Sequence, residues 1–311
     1  MRVLFMGTPD FAVPTLKALC DNGYDVVGAV TQPDKPKGRG HHLTPPPVKE
    51  FAQEKNIPVY QPLTLKGEEF ASLLATLDPE VIVVVAYGKI LPVNVLEYPK
   101  YKCINVHGSL LPQYRGAAPM QRAIIDGKKE TGITTMLMAA GLDTGDMLLK
   151  EAVGIGEDDN FEDIHDRLSV VGAQLLIKTL RGIEDGIIMP EVQDDACATY
   201  AAKIEKADCE LDFSLDAKTL HDLIRGLSPI PLSFTHTPDG KLLKIAKSRV
   251  FDAEKINSCE VGTVIEVGEE IRVACKRGVL SLLTVVPEGK GRMSAGDFVR
   301  GRKISVGDIL K

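Results

Sequence analysis

The sequence predicts an α/β protein: a doubly wound, mostly parallel (Rossmann-like) sheet first, then a smaller C-terminal β-barrel. Three observations predict it. Arg2 to Met6, Val13 to Asn22 and Val26 to Thr31 read as strand, helix and strand, the opening of a βαβ unit. Val81 to Ala86 is an unbroken, β-branched apolar run of the kind buried on both faces of a parallel sheet. Strand-like segments then crowd between Leu232 and Val286, the spacing of a small barrel.

The elements follow in order. Gly7-Thr8-Pro9-Asp10-Phe11 closes the first strand, and Val13, Leu16, Leu19 and Cys20 recur at helical intervals. Only Gly7 stands in this first turn, so the glycine fingerprint of a dinucleotide site is missing. Gln32 to Pro47 is basic and broken by proline and glycine, which predicts a long loop with no regular element. Lys35, Lys37, Arg39 and Lys49, with His41 and His42, could there meet phosphates, although a solvated loop would look the same. Helices are expected over Val48 to Lys55 and Gly67 to Leu77, with a short strand at Pro58 to Tyr60 between them. A strand ending in Asn105-Val106-His107-Gly108 follows Val81 to Ala86, and the two strand ends could line one pocket.

Pro119 to Asp126 reads as a helix, and Gly132 to Met138 and Met147 to Val153 as an antiparallel excursion at the sheet edge. Asn160 to Glu184 is the longest amphipathic helix. Pro190 to Lys206 has no apolar period and reads as a connection, which predicts domains at 1–189 and 207–311 with a linker at 190–206. In the second domain a helix over Asp216 to Arg225 precedes strands at Leu232 to His236, Lys241 to Arg249, Gly262 to Val267, Ile271 to Cys275 and Val279 to Val286.

Composition narrows the function classes. With 311 residues and 44% apolar content the chain can bury a full core. Only four apolar residues follow Arg2, too few for a signal-peptide core, and no run approaches a membrane span. A soluble, cytoplasmic protein with no membrane partner is expected, and a monomer. The six cysteines are scattered, without metal or disulfide spacing, so reduced thiols and no metal are expected. Net charge is -6, so a nucleic acid would need local basic surface. The charge is uneven: residues 205–311 carry 17 Lys and Arg against 16 Asp and Glu.

Asn105 and His107, two apart on an extended segment, project from one face at a strand end. An Asn amide can donate to a developing oxyanion, a His can relay a proton near neutral pH, and an Asp such as Asp143 could stabilise the imidazolium. Together they suit addition of an amine to a carbonyl carbon without a covalent intermediate. Singly, each has an ordinary structural reading: a hydrogen-bonded His, a turn-capping Asn, a turn Asp between Gly141 and Gly145. Ser109 lacks the elbow of a hydrolase nucleophile, because Leu110 and Leu111 follow it.

The pattern Asn105-x-His107, Ser109-Leu110-Leu111-Pro112, Tyr114-Arg115-Gly116 and Pro119, with Gly132-Ile133-Thr134 and Gly141-Leu142-Asp143-Thr144-Gly145-Asp146, resembles the folate-dependent formyltransferases. Within that family the resemblance extends to members that formylate methionyl initiator tRNA. It runs from Gly7-Thr8-Pro9-Asp10-Phe11 through Lys37-Gly38-Arg39-Gly40, Ala86-Tyr87-Gly88 and Tyr200-Ala201-Ala202-Lys203-Ile204 into the C-terminal part. It implies 10-formyltetrahydrofolate as formyl donor and an OB-type C-terminal barrel that helps hold tRNA. The family's catalytic Asn, His and Asp fall on Asn105, His107 and Asp143. Its folate site falls on Tyr87, Gly88, Ser109, Leu110, Leu111 and Pro112, and its tRNA contacts on Lys35, Lys37, Gly38, Arg39, Gly40 and Lys203. A sugar-nucleotide formyltransferase, or a non-catalytic RNA-binding protein with a degenerate α/β domain, are the alternatives.

Overall fold

Seven strands build the sheet of the first unit, in the spatial order Met147–Gly154, Glu130–Leu137, Cys103–His107, Val81–Val85, Arg2–Gly7, Asp25–Val30 and Val59–Tyr60. The computed structural model describes residues 1–37, 42–301 and 303–311. Its chain gathers into two units, one of Met1–Gly116, Thr131–Val153 and His165–Tyr200, the other of Ala117–Glu130, Gly154–Ile164 and Ala201–Lys311.

Val81–Val85 is buried along its whole length, as its uniform β-branched composition predicts. It runs parallel to Arg2–Gly7 on one side and to Cys103–His107 on the other. Glu130–Leu137 then pairs antiparallel with Cys103–His107, setting Asn105 opposite Met136 and His107 opposite Thr134. The strand order reverses between Arg2–Gly7 and Val81–Val85, so the carboxyl ends of these strands flank a switch point, the usual place for a ligand crevice. Those ends are tied together: Thr8 Oγ1 and Gln32 Nε2 each donate to the Tyr87 carbonyl at 3.1 Å. The long helix Phe161–Glu184 packs on this sheet, and its Thr179 hydroxyl meets that of Thr135, 2.8 Å away, inside the core.

Two stretches of the expected irregular loop after Gln32 form regular structure. Lys35–Lys37 and His42–Thr44 pair as an antiparallel ribbon, with Lys35 opposite Thr44 and Pro36 opposite Leu43. A two-stranded ribbon is all edge, so a proline without an N–H does not forbid it. Gly38, Arg39, Gly40 and His41 lie outside the described residues. At the ribbon's root Lys49 Nζ donates to both Asp34 oxygens at 2.8 Å and to Gln61 Oε1 at 2.9 Å. These partners hold the Asp34 carboxyl below its ordinary range. The expectation that Lys49 could meet phosphate is therefore corrected: its ammonium is committed to the ribbon's anchor.

In the second unit the sheet order is Ser233–His236, Leu242–Asp252, Val279–Pro287, Ile271–Ala274 and Val264–Val267, with Met293–Ser294 also pairing with Val279–Pro287. These strands pair antiparallel with one another, and Glu210 adds a single parallel bridge to Phe234. The strand pairings leave Ser233–His236 and Val264–Val267 as the two ends of the strand path, and the C-terminal segment bonds to both: His236 and Lys311 exchange main-chain hydrogen bonds, Val264 donates to the Asp308 carbonyl, and Thr263 bridges Ile309. Helix Ala217–Gly226 covers it, burying Ala217, Leu220 and Ile224 in a core with Leu243, Ile245, Val273 and Leu282. Helix Pro119–Ile125 packs against Ala217–Gly226. Buried Arg225 donates to Asp222 at 2.7 Å and to the carbonyls of Gly156 and Asp159, which draws the 154–164 segment into this unit. His221 beside it is buried too, and burial pushes its imidazole down.

Removing one partner of a buried ion pair leaves the other desolvated and unpaired. Asp222→Ala should therefore cost about 3 kcal/mol or more, seen as a lower midpoint in urea unfolding. An unchanged midpoint would show that Arg225 finds other compensation.

Candidate active site

Asn105 and His107 leave the Cys103–His107 strand at its carboxyl end on the same face. Asn105 is half-buried, whereas His107 is only 6% exposed. His107 Nε2 lies 3.0 Å from the carbonyl oxygen of Tyr114. A carbonyl can only accept, so the ring carries its proton on Nε2 when neutral and presents a lone pair at Nδ1. Nδ1 faces Asp143 Oδ2 at 3.7 Å. That is too long for a direct hydrogen bond.

The turn after the strand is built to deliver that carbonyl. Ser109, fully buried, donates to the Gln113 carbonyl at 2.6 Å, and Thr134 Oγ1 donates to the Ser109 carbonyl at 2.7 Å while accepting the Leu111 N–H at 3.0 Å. Leu111 is buried with Met136 and Met147, and the Leu111–Pro112 bond is cis. Gly132 lets Leu110 lie close: a Cβ there would come within 2.5 Å of Leu110 Cδ2 and 2.3 Å of the Glu151 carbonyl. Tyr114 takes a left-handed φ of 60° and Gly116 then donates its N–H to Asp143 Oδ2 at 2.8 Å. Tyr114 thus holds the histidine and Gly116 the aspartate.

Asp143 also sits at a left-handed φ, 51°, which Asp tolerates better than most residues. Its loop is closed by the Leu137 N–H donating to the Asp146 carbonyl at 2.8 Å. From the far side Gln193, 7% exposed, reaches in with its amide: Nε2 donates to the carbonyls of Asp143 at 2.8 Å and Gly145 at 2.7 Å. Its Oε1 accepts from Arg115 Nε at 3.0 Å, and Arg115, only 2% exposed, also bonds Asp195. Thr199 completes the clasp by accepting the Arg115 N–H through its carbonyl and the Tyr114 N–H through its hydroxyl, both at 2.8 Å.

The structure therefore brings Asn105, His107 and Asp143 to one strand end. It puts Ser109 and Leu111 inside the turn rather than on its surface, leaving Leu110 and Pro112 half-buried beside them. Tyr87 is 2% exposed among core side chains such as Met6 and Phe70. Burial pushes its phenol up to about 12, and its hydroxyl has no partner among the described residues. Gly88 is exposed, with φ of 84°. Lys35 is exposed on the ribbon, and Lys203 is exposed in the second unit, 3.5 Å from Glu205. Gln193, Thr199 and the clasp role of Arg115 were not foreseen. Their stretch has no apolar period, because it acts through single polar contacts.

Comparison with known proteins fits this geometry. The formyl transferase family profile matches residues 1–180, and that of the formyl transferase C-terminal domain residues 203–303. The chain is 49% identical over 311 residues to the methionyl-tRNA formyltransferase of Geotalea uraniireducens, covering 100% of this chain and 98% of that protein. The chain belongs to the methionyl-tRNA formyltransferase family. The family member from Caldanaerobacter subterraneus is likewise 49% identical over 312 residues, with 100% of both chains covered. Among solved structures, an N-formyltransferase from Helicobacter canadensis with folinic acid and dTDP-3-aminofucose matches at a TM-score of 0.66 and 18% identity, covering 90% of this chain and 98% of that one. The methionyl-tRNA formyltransferase from Clostridium thermocellum matches at 0.55 and 18%, covering 80% and 93%. At such identities the likeness is one of fold.

The Asp143 loop leaves no room at its base, since a Cβ on Gly145 would fall 1.7 Å from the Leu137 carbonyl oxygen. Gly145→Ala should displace the loop, cost about 2 kcal/mol or more, and lower formylation at least about tenfold. Wild-type turnover in this variant would show that the loop's position is immaterial.

Proposed function

We propose that this chain transfers a formyl group from 10-formyltetrahydrofolate to the α-amino group of methionyl initiator tRNA, the modification that readies the initiator for translation. Membership of the methionyl-tRNA formyltransferase family supports the acceptor. The observation that supports the chemistry is His107 Nδ1 facing Asp143 while Nε2 is held by the Tyr114 carbonyl, on the strand face that Asn105 shares.

As the amine nitrogen bonds to the formyl carbon, Asn105 donates an N–H to the oxygen that gains charge. Loss of one such donor typically costs about 2.7 to 4 kcal/mol. His107 Nδ1 takes the proton that the new C–N bond makes acidic, and Asp143 stabilises the resulting imidazolium. His107 then returns the proton to the departing folate nitrogen as its bond to the formyl carbon breaks. No step needs a covalent enzyme intermediate. In this reading Leu110, Pro112 and Gly88 border the folate. The chain's net charge of -6 makes basic local surface necessary for tRNA, and Lys35, Lys37 and Lys203 are its candidates in this reading. The enzyme is read as a cytoplasmic monomer.

The test offers the protein 10-formyltetrahydrofolate with methionyl initiator tRNA, or with a dTDP-amino sugar. Formyl-methionyl-tRNA should form and the sugar should stay unmodified. His107→Ala and Asp143→Asn should each lower kcat by roughly 10²-fold or more while the fold is kept. Formylation of the amino sugar alone would overturn the reading of the acceptor, and normal turnover in either variant would remove that residue from the mechanism.

A further inference from the structure

We propose that Gln193 is a positioning residue for formyl transfer: its amide, aimed by Arg115, fixes the main chain of the Asp143 loop and so sets the distance from Asp143 to His107. The inference rests on the proposed function, and it gives a task in the site to a stretch whose sequence reads as a linker.

Four observations converge on Gln193. The Asp143 loop turns at a left-handed non-glycine residue, a conformation Asp tolerates but uncommon enough to mark a constrained turn. Two carbonyls of that loop, at 143 and 145, both accept from the single nitrogen Nε2 of Gln193, which spends its two N–H groups on them. The orientation of that amide is set, because Arg115 Nε can only donate and therefore requires the amide oxygen on its side. Arg115 lies between the residue whose carbonyl holds His107 and the residue whose N–H holds Asp143. One buried guanidinium thus ties the strap, the turn and the loop together. Gln193 touches neither His107 nor the Asp143 carboxylate in these contacts, so its effect on turnover must pass through the loop.

Residue chemistry separates this role from a merely structural one. Gln193→Glu keeps the shape of the side chain and its contact with Arg115, yet turns two donors to carbonyls into an acceptor facing acceptors. Gln193→Leu removes both sets of bonds. Kinetics would be measured on the full chain with 10-formyltetrahydrofolate and methionyl initiator tRNA, with thermal unfolding as the check of folding. Both variants should lose about tenfold to a hundredfold in kcat, with KM for each substrate within about twofold. Placed in an Asp143→Asn background, Gln193→Glu should add less than about twofold, since residues that act through one another are not additive. Should Gln193→Leu fail to fold, the Glu variant carries the test.

Wild-type kcat in Gln193→Glu would overturn the proposal, as would a full multiplicative loss in the double variant. An impaired Asp143→Asn beside a normal Gln193→Glu would sink this inference alone. An Asp143→Asn enzyme with normal turnover would sink the proposed mechanism and this inference with it.

Discussion

One hydrogen bond decides what the candidate site can do: the contact between His107 Nε2 and the Tyr114 carbonyl. Because a main-chain carbonyl cannot donate, it commits one ring nitrogen to structure and leaves the other for chemistry. The rest of the first unit keeps that carbonyl in place. A buried serine, a threonine from the neighbouring strand and the Thr199 hydroxyl fix the turn that presents it. One residue past Arg115, the Gly116 N–H fixes the carboxylate across from the ring. Main-chain atoms of one short segment thus hold both the ring and the carboxylate, alongside the Gln193 amide that holds the Asp143 loop.

Much of this was legible in the sequence where composition is uniform or periodic. Val81–Val85 announces a doubly covered strand because every residue is apolar and nearly all are β-branched. Asn105 and His107 share a face because a strand has a period of two. The motif Gly141 to Asp146 marked a turn acid, and the structure places its Asp143 opposite His107. What was not legible depended on partners distant in sequence. The ribbon of Lys35–Lys37 and His42–Thr44 forms by cross-strand pairing, which a proline-broken segment does not advertise. Ser109 is a buried latch, and its partners, Gln113 and Thr134, can be seen only once the strand pairs. Lys49 looked available and is held by Asp34. Short helix Ala295–Arg300 carries too few turns to show a period.

The stretch at 190–200 holds a broader lesson. Aperiodic polarity is the signature of a linker, and also of a strap that works through single hydrogen bonds. Gln193 is buried and both ends of its amide are engaged, while its neighbours Val192 and Asp194 are exposed. Burial of one polar residue in four or five exposed ones leaves no trace in composition. In the second unit, burial again concentrates polar contacts, where Arg225 gathers Asp222 and two carbonyls of the 154–164 segment. In both places a deeply buried arginine joins segments that are far apart in the chain.

The account stands or falls on which nitrogen of His107 holds the proton. Protein labelled with ¹⁵N-histidine, recorded by NMR at a pH where the ring is neutral, reports this directly through the separate shifts of protonated and unprotonated ring nitrogens. The structure predicts the Nε2–H tautomer for His107, with a pyridine-like Nδ1 facing Asp143. A neutral ring protonated on Nδ1 would contradict it, because the nitrogen assigned to the proton transfer would then already carry its proton.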